Sequence, residues 1–494
     1  MSANPIDSVP FSDSRRPFLL NVVQLAIGGS SAQILGFFVI LLLGQRLGAE
    51  LFGEINFAQA ALVYLMLLSD PGLKILGTRR IAQTNSADSF EVAGVWTLRL
   101  VLATTVFLIW SVFLLLHQPD SPRNWLLWGY GLAILPIAFS TEWIHTGFER
   151  LRPVAVSRVL RNILHLLLVY WLIRSPSDWA RAPALFVLTH LTASLYLYAV
   201  AWKKAVIPSL LLRRDVSIAV FRSAWPLGIS AVMIQIYYFL DSIILGILRT
   251  PQELGYYSAA YKIILFILAI ADTFGTVLLP TLSRITAEKD PERLRRTLPE
   301  IVNLLLLIGV PLTFGVMILA RETLAFLFGT SYLPGADAMK ILALTIFAVF
   351  GNLSFGVLLL ALHREKKYTL AVTGGAAANL LLNLILIPLF GIIGAAAATL
   401  ASELLVWAAY LFFLRKEGIG IPWLTIFLRL AVPAALICFA LISLHGHVIV
   451  RAVFGVAVFI VSARITGAWS IGRLRSLAEI LKLENTRAET PSSS

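Results

Sequence analysis

Long apolar runs separated by short, mostly basic segments set the pattern of the chain. Charge-free stretches lie at Pro17–Gln45, Leu100–Pro119, Asn124–Thr141, Ala182–Trp202, Ser223–Leu240, Ile301–Ala320, Ile341–Leu362 and Leu430–Val450. Each is close to the roughly 20 residues that carry a helix through hydrocarbon. Tyr368–Ser402 is uncharged throughout and too long for one crossing, and the Pro388–Gly391 turn cuts it in two. With the weaker runs added, the pattern predicts fourteen helices, near 18–43, 52–73, 92–116, 124–147, 154–173, 181–202, 221–248, 256–283, 298–319, 338–362, 368–387, 391–413, 424–443 and 448–466.

Composition agrees with a lipid-embedded chain. Of 494 residues, 58% are hydrophobic and 14% charged, against about a quarter charged in soluble domains. That excludes a soluble enzyme, a nucleic-acid binder and a secreted disulfide scaffold. The single cysteine, Cys438, has no internal partner and sits in an apolar run as a small core residue. No cleavable signal is expected, because Met1–Pro17 is polar and the apolar stretch after it is longer than a signal-peptide core.

The net charge of +13 is distributed as an orientation signal. With the N-terminus in the cytoplasm, inner segments collect thirty of the forty Lys and Arg, outer loops keep seven, and three fall within spans. Basic loops stay inside, so both termini are expected in the cytoplasm of a multi-pass inner-membrane protein. The expected organisation is a cytoplasmic tail (1–17), a first six-helix lobe (18–202), a basic cytoplasmic linker (203–220), a second six-helix lobe (221–413), two additional helices (424–466) and a cytoplasmic tail (470–494). Ser470–Leu483 alternates apolar and basic residues, as an interfacial amphipathic helix or one packed on a loop would. The outer insert Arg321–Ala338, with Leu324, Phe326, Leu327 and Phe328, is expected on the membrane surface.

The first half recurs in the second at an offset of 202: Leu43-Gly44 with Leu245-Gly246, Gly53 with Gly255, Ala58 with Ala260 and Asp70 with Asp272. An even number of helices per repeat keeps both halves in one orientation, as in parallel-repeat transporters with a central cavity. The fold class expected is therefore all-α.

Several motifs carry a resemblance. Leu47-Gly48-Ala49-Glu50-Leu51-Phe52-Gly53, Asp70-Pro71-Gly72-Leu73, Arg79-Arg80-Ile81-Ala82, Leu240 to Gly246, Leu254 to Lys262, Leu279 to Arg284 and Asn383 to Ala396 stand in this order. Together they resemble the polysaccharide-transport branch of the multidrug/oligosaccharidyl-lipid/polysaccharide exporter superfamily, over roughly residues 18–415. The resemblance implies a flippase that moves an undecaprenyl-diphosphate-linked oligosaccharide, such as an O-antigen or exopolysaccharide repeat unit, from the cytoplasmic to the periplasmic leaflet by alternating access. It implies membrane lipids, a polysaccharide polymerase and chain-length machinery as partners. It implies no nucleic acid and no cofactor, and leaves proton or sodium coupling open.

Ionisable groups at membrane depth are costly and usually face a cavity or a partner. Arg99 and Glu142 lie at similar depth from the inner side, and Asp241 and Lys262 from the outer side, so each couple is expected to pair. Either these pairs pin helices together, or Arg99 and Lys262 present positive charge to the lipid diphosphate while Glu142 and Asp241 tune them. Asp70 and Asp272 either gate the inner mouth or cap helix ends. Glu403, near the midplane, is a candidate coupling site or a neutral buried acid. Asn379 and Asn383, at i and i+4, put two amides on one helix face for sugar hydroxyls or for interhelical bonds. Lys340 is expected to pair with Asp337, three residues away. His165 and His190 lack metal-ligand spacing and are expected in the core.

Two other functions fit the pattern less well. A membrane glycosyltransferase or ligase needs a sizeable outer loop with catalytic acids or bases, and no outer loop exceeds about twenty residues. An ion-coupled multidrug exporter of the same superfamily needs a predominantly acidic cavity, whereas here cations accompany the acids within the spans.

Overall fold

The computed structural model describes residues 15–87, 90–117, 121–204, 206–211, 213–288 and 290–469; the side chains of 15–30, 229–234 and 236–238 are not described. The expected tail helix Ser470–Leu483 lies outside the described residues, as does most of the N-terminal tail. The described chain is α-helical, and ten of its helices are long and apolar enough to cross a membrane. It is a multi-pass membrane protein. Contacts divide it into two compact units, Met1–Phe239 and Leu240–Ser494.

The first unit holds α1 (Arg15–Ser69), α2 (Leu73–Thr84), α3 (Phe90–Leu116), α4 (Pro122–Gly131), α5 (Ile134–Phe139), α6 (Glu142–Gly147), α7 (Leu151–Leu172), α8 (Ala182–Lys203) and most of α9 (Arg214–Leu248). α1 breaks at Gly48, whose φ of 78° suits glycine, so it spans both of the first two expected crossings. The segment expected as one crossing at 124–147 is instead three short helices. Pro136 cannot donate to the carbonyl of Leu132, and the chain bends again at Ser140, where ψ turns extended. The freed carbonyls find donors: the Ser194 hydroxyl bonds Pro136 O at 2.6 Å, and Arg99 Nη1 bonds Ser140 O at 3.3 Å.

The division falls inside α9, and one close contact explains why its first part stays with the first unit. The chain between α1 and α2 turns at Gly72 (φ 87°), against the backbone of Ala224 and Gly228 on α9. A Cβ on Gly72 would lie 2.4 Å from Ala224 O, and one on Gly228 would lie 2.5 Å from the Pro71 carbonyl carbon. Around this crossing Leu73, Leu76, Ile81, Trp96, Trp143 and Val220 form a buried core.

The second unit holds the rest of α9, then α10 (Pro251–Ala287), α11 (Pro291–Ile318), α12 (Ala320–Leu327), α13 (Ala336–Ala361), α14 (Glu365–Lys416), α15 (Trp423–Ser443) and α16 (Val448–Ile465). α14 breaks at Gly391 (φ 58°, ψ −131°), at the turn expected from Pro388–Gly391. The insert after α11 packs one face on the unit through Leu324, Phe328 and Tyr332 and leaves Phe326 exposed on the other. Lys340 Nζ pairs with Asp337 at 2.8 Å, as its spacing predicts.

The two halves begin alike. Gly48 breaks α1, and 202 residues on, Thr250 separates α9 from α10 and caps α10 with its hydroxyl. The likeness stops at the aspartates. Asp70 sits in the turn between two helices, whereas Asp272 is exposed within the unbroken α10.

Candidate functional site

The first unit holds a partly open cavity of about 140 Å³ between α2, α3, α5 to α8 and the end of α1. Its lining includes Asp70, Lys74, Arg99, Glu142, Arg158 and Arg161, so four cations meet two carboxylates. His190 also faces it.

Asp70 is placed by the end of α1 and the Gly72 turn. Its Oδ1 accepts the Lys74 backbone N–H at 2.9 Å, and its Oδ2 accepts Arg99 Nε at 2.9 Å. Arg99 is only 4% exposed. The expected Arg99–Glu142 pair is therefore corrected: Arg99 holds Asp70 and the carbonyl at the end of α5. The bend at Ser140 is the reason, because Glu142 opens a new helix that points it at α7. There Glu142 Oε1 lies 2.7 Å from Arg158 Nη2 and 3.4 Å from Lys74 Nζ.

Arg161 is one turn beyond Arg158 on α7, and its Nη1 lies 3.4 Å from His190 Nε2. His190 Nδ1 bonds Phe186 O at 2.9 Å. A carbonyl can only accept, so Nδ1 carries the proton and Nε2 is left as the neutral acceptor for the guanidinium. His165 is buried, with its ring edge-on to Phe186.

Sequence reasoning missed Lys74, Arg158 and Arg161 as site residues, having counted them as orientation charges. A signal was available. Arg158 and Arg161 sit at i and i+3 inside the predicted span 154–173, so one helix face carries both into the membrane.

The expected site residues of the second unit do not line this cavity. Asp241 is buried; its Oδ1 accepts Ser242 N–H at 2.6 Å, and its Oδ2 accepts the Tyr257 hydroxyl. The expected pairing with Lys262 is electrostatic, while the hydrogen bonds of Asp241 go to Ser242 and Tyr257. Tyr257 and Tyr261, at i and i+4, make the face of α10 toward Asp241, and Lys262 is turned a further 100° around the helix, though its charge still reaches Asp241. Asn379 and Asn383 are buried, at 2% and 0% exposure. Asn383 Nδ2 donates to Asn379 Oδ1 at 2.9 Å, and Asn379 Nδ2 to Ser402 Oγ at 3.2 Å, so the amides tie the two parts of α14 together. As placed, they present no open face to a sugar. Glu403, next to Ser402, is half-buried and within electrostatic reach of Tyr410.

Long apolar helices around a cavity in which cations outnumber carboxylates define the class: a polytopic membrane protein with a cation-rich cavity. The profile of the family described as "Polysaccharide biosynthesis protein" matches residues 18–286, and the MatE profile matches 226–389. The chain belongs to this polysaccharide biosynthesis family, within the multidrug/oligosaccharidyl-lipid/polysaccharide exporter superfamily. A protein of Escherichia coli (strain K12) named as an O-antigen transporter is 24% identical over 80% of this chain and 96% of its own length. A Haloferax volcanii protein named as a low-salt glycan biosynthesis flippase is 23% identical over 76% of this chain and 78% of its own. Among solved structures, the lipid II flippase MurJ in an inward closed conformation has the same fold, with a TM-score of 0.74 at 15% identity over 92% of this chain and 100% of that one.

Proposed function

We propose that the protein is a flippase for an undecaprenyl-diphosphate-linked oligosaccharide, an O-antigen or exopolysaccharide repeat unit. It would carry the unit across a bacterial inner membrane, with both termini in the cytoplasm. The observation that carries this reading is the cationic surplus of the first unit's cavity. A diphosphate is the charged part of such a lipid, and cations in a low-dielectric cavity hold it more strongly than they would in water. The names borne by the curated relatives support a glycan cargo, and the polysaccharide family supports a transporter over an enzyme. Fourteen crossings fit the helices if α1 and α14 each cross twice at Gly48 and Gly391 and α4 to α6 together make one crossing.

In this reading the cavity opens alternately to the two faces. Arg158, Arg161 and Lys74 meet the diphosphate, while Arg99 serves by holding Asp70. Asp70 and Asp272 as gate residues, Lys262 as a cargo contact and Asp241 or Glu403 as coupling groups remain parts of the proposal, whereas Asn379 and Asn383 would reach a cargo only if the two parts of α14 moved apart. Proton or sodium coupling stays open. The MatE match favours a second reading, an ion-coupled drug exporter. A cationic drug would meet more cations than carboxylates in this cavity, which disfavours it.

The test is deletion in the host, with lipid-linked sugars of inner-membrane vesicles profiled by mass spectrometry. Accumulation of a complete repeat unit in the cytoplasmic leaflet, reversed by wild type and not by Arg158→Gln with Arg161→Gln, is expected. An unchanged lipid pool with altered sensitivity to cationic drugs would overturn the reading in favour of the exporter.

A further inference from the structure

The two carboxylates of the cavity are not equivalent. Both oxygens of Asp70 are committed to the frame, one to the α2 backbone and one to a guanidinium that is 4% exposed. Glu142 is different. A single oxygen, Oε1, serves both Arg158 and Lys74, whose side chains are 40% and 46% exposed. Beside them Arg161 bonds a neutral imidazole. Two cationic heads, from α2 and α7, therefore share one carboxylate oxygen, with Arg161 beside them, and all four groups line the cavity.

We propose that Glu142 is a resident competitor for the anion, its carboxylate taking the place on Arg158 and Lys74 that a phosphoryl oxygen of the ligand takes. This rests on the reading that the cavity receives a phosphate-bearing group, and it adds how that group is let go. A diphosphate brings more charge and more acceptor oxygens than a carboxylate, and can engage guanidinium groups in bidentate fashion. It displaces Glu142 on arrival, and Glu142 reclaims the same cations on departure. The competition lowers affinity and speeds release. A translocation pathway needs this balance, since a site that binds too well does not let go.

The experiment uses the full chain in lipid nanodiscs and measures binding of inorganic pyrophosphate by titration calorimetry, alone and against undecaprenyl diphosphate. Glu142→Gln removes the competing charge and is expected to bind pyrophosphate about tenfold more tightly, the scale of close charge couplings. Arg161→Gln is expected to bind it about tenfold more weakly. Glu142→Asp keeps the charge but withdraws it by one methylene, and is expected to fall between wild type and Glu142→Gln; it also carries the test if Glu142→Gln does not fold. In reconstituted flipping, Glu142→Gln is expected to turn over more slowly at saturating substrate despite its tighter binding.

If wild type binds pyrophosphate and both Glu142 variants bind it no better, Glu142 merely props Arg158 and Lys74. The inference then falls while the proposed function stands. If wild type binds neither pyrophosphate nor the lipid, the cavity is not the anion site and both fall. If pyrophosphate binds and the lipid does not displace it, the ligand is a soluble phosphate. That overturns the flippase reading and leaves the competition to be judged by the Glu142 variants alone.

Discussion

Arg46 and Arg249 do the same work, one in each unit. Arg46 Nη1 donates to Tyr170 O and Ile173 O, both at 2.6 Å, at the end of α7. Arg249 Nη2 donates to Ile387 O at 2.9 Å and Pro388 O at 2.8 Å, where α14 breaks. Each arginine ends the stretch before a break, at Gly48 or Thr250, and caps carbonyls that a helix end leaves without an intrahelical donor. The two arginines are 203 residues apart, one off the 202-residue register of the repeat, so the fastening recurs although the residue that makes it has shifted by one.

Arg46→Ala and Arg249→Ala should each destabilise the protein by about 1.5–3 kcal/mol, the usual worth of hydrogen bonds to charged groups. Lysine should rescue poorly, because an ammonium on a flexible stem does not reproduce the planar fork that spans adjacent carbonyls. Thermal unfolding of the purified variants in detergent checks both; an Arg→Lys variant as stable as wild type would count against the capping role.

Arg99 and Asp70 should behave as a strut. Removing either partner of a buried pair leaves the other uncompensated, at about 3–5 kcal/mol. Arg99→Ala is therefore expected to cut folded protein in the membrane severely, and Asp70→Ala nearly as much. Arg99→Met with Asp70→Leu should recover much of the loss. A double-mutant cycle on folded yield reads this, and additive losses would argue against it.

Gly72→Ala should destabilise on the order of 1–3 kcal/mol from its left-handed backbone alone. The contact with Ala224 O adds to that, because a backbone atom cannot swing away as a side chain can. Gly374→Ala, with nothing within 4 Å of the added methyl, is the control and should leave melting unchanged or raised.

Acid should weaken one fastening outside the long apolar segments. Arg364 holds the Glu417 carboxylate at 2.8 Å and Lys367 shares the same oxygen, which pulls the Glu417 pKa from 4.5 down to about 2. The folded form thus binds its proton less readily than the unfolded chain. The stabilisation is complete above about 4.5 and is lost as pH falls toward about 2. Wild type should melt above Glu417→Gln at neutral pH, and the gap should close over that interval. A gap unchanged down to pH 2.5 would refute the assignment.

What the sequence made legible was whatever one stretch of chain decides alone. The break at Gly391 follows from a run too long for one crossing with Pro388 inside it, and the one at Gly48 from the charges Arg46 and Glu50 that end the first apolar run. Lys340 and Asp337 meet because one helical turn brings them together. Arg99 was assigned the wrong partner because its partner depends on where two other segments end: α1 at Ser69, and α5 at a bend no periodicity announces. Arg158 and Arg161 were misread for a different reason. A cation near the inner end of a span contributes to orientation in the same way whether it faces water or a cavity, and only packing separates the two. Asn379 and Asn383 likewise show their shared face in the sequence, but not that α14 folds back to cover it.

The three-part segment α4 to α6 has an electrical consequence. Broken backbone persists at membrane depth only where protein or water replaces lipid around it. If α4 to α6 make one crossing, as proposed, Ser140 lines the cavity at membrane depth, and the transmembrane voltage would drop over the part of the wall that remains sealed. An anion seated beside Arg158 feels whatever fraction of the field that wall leaves to it. In the flippase reading its passage would be a movement of charge, readable as a current as well as a change in lipid composition.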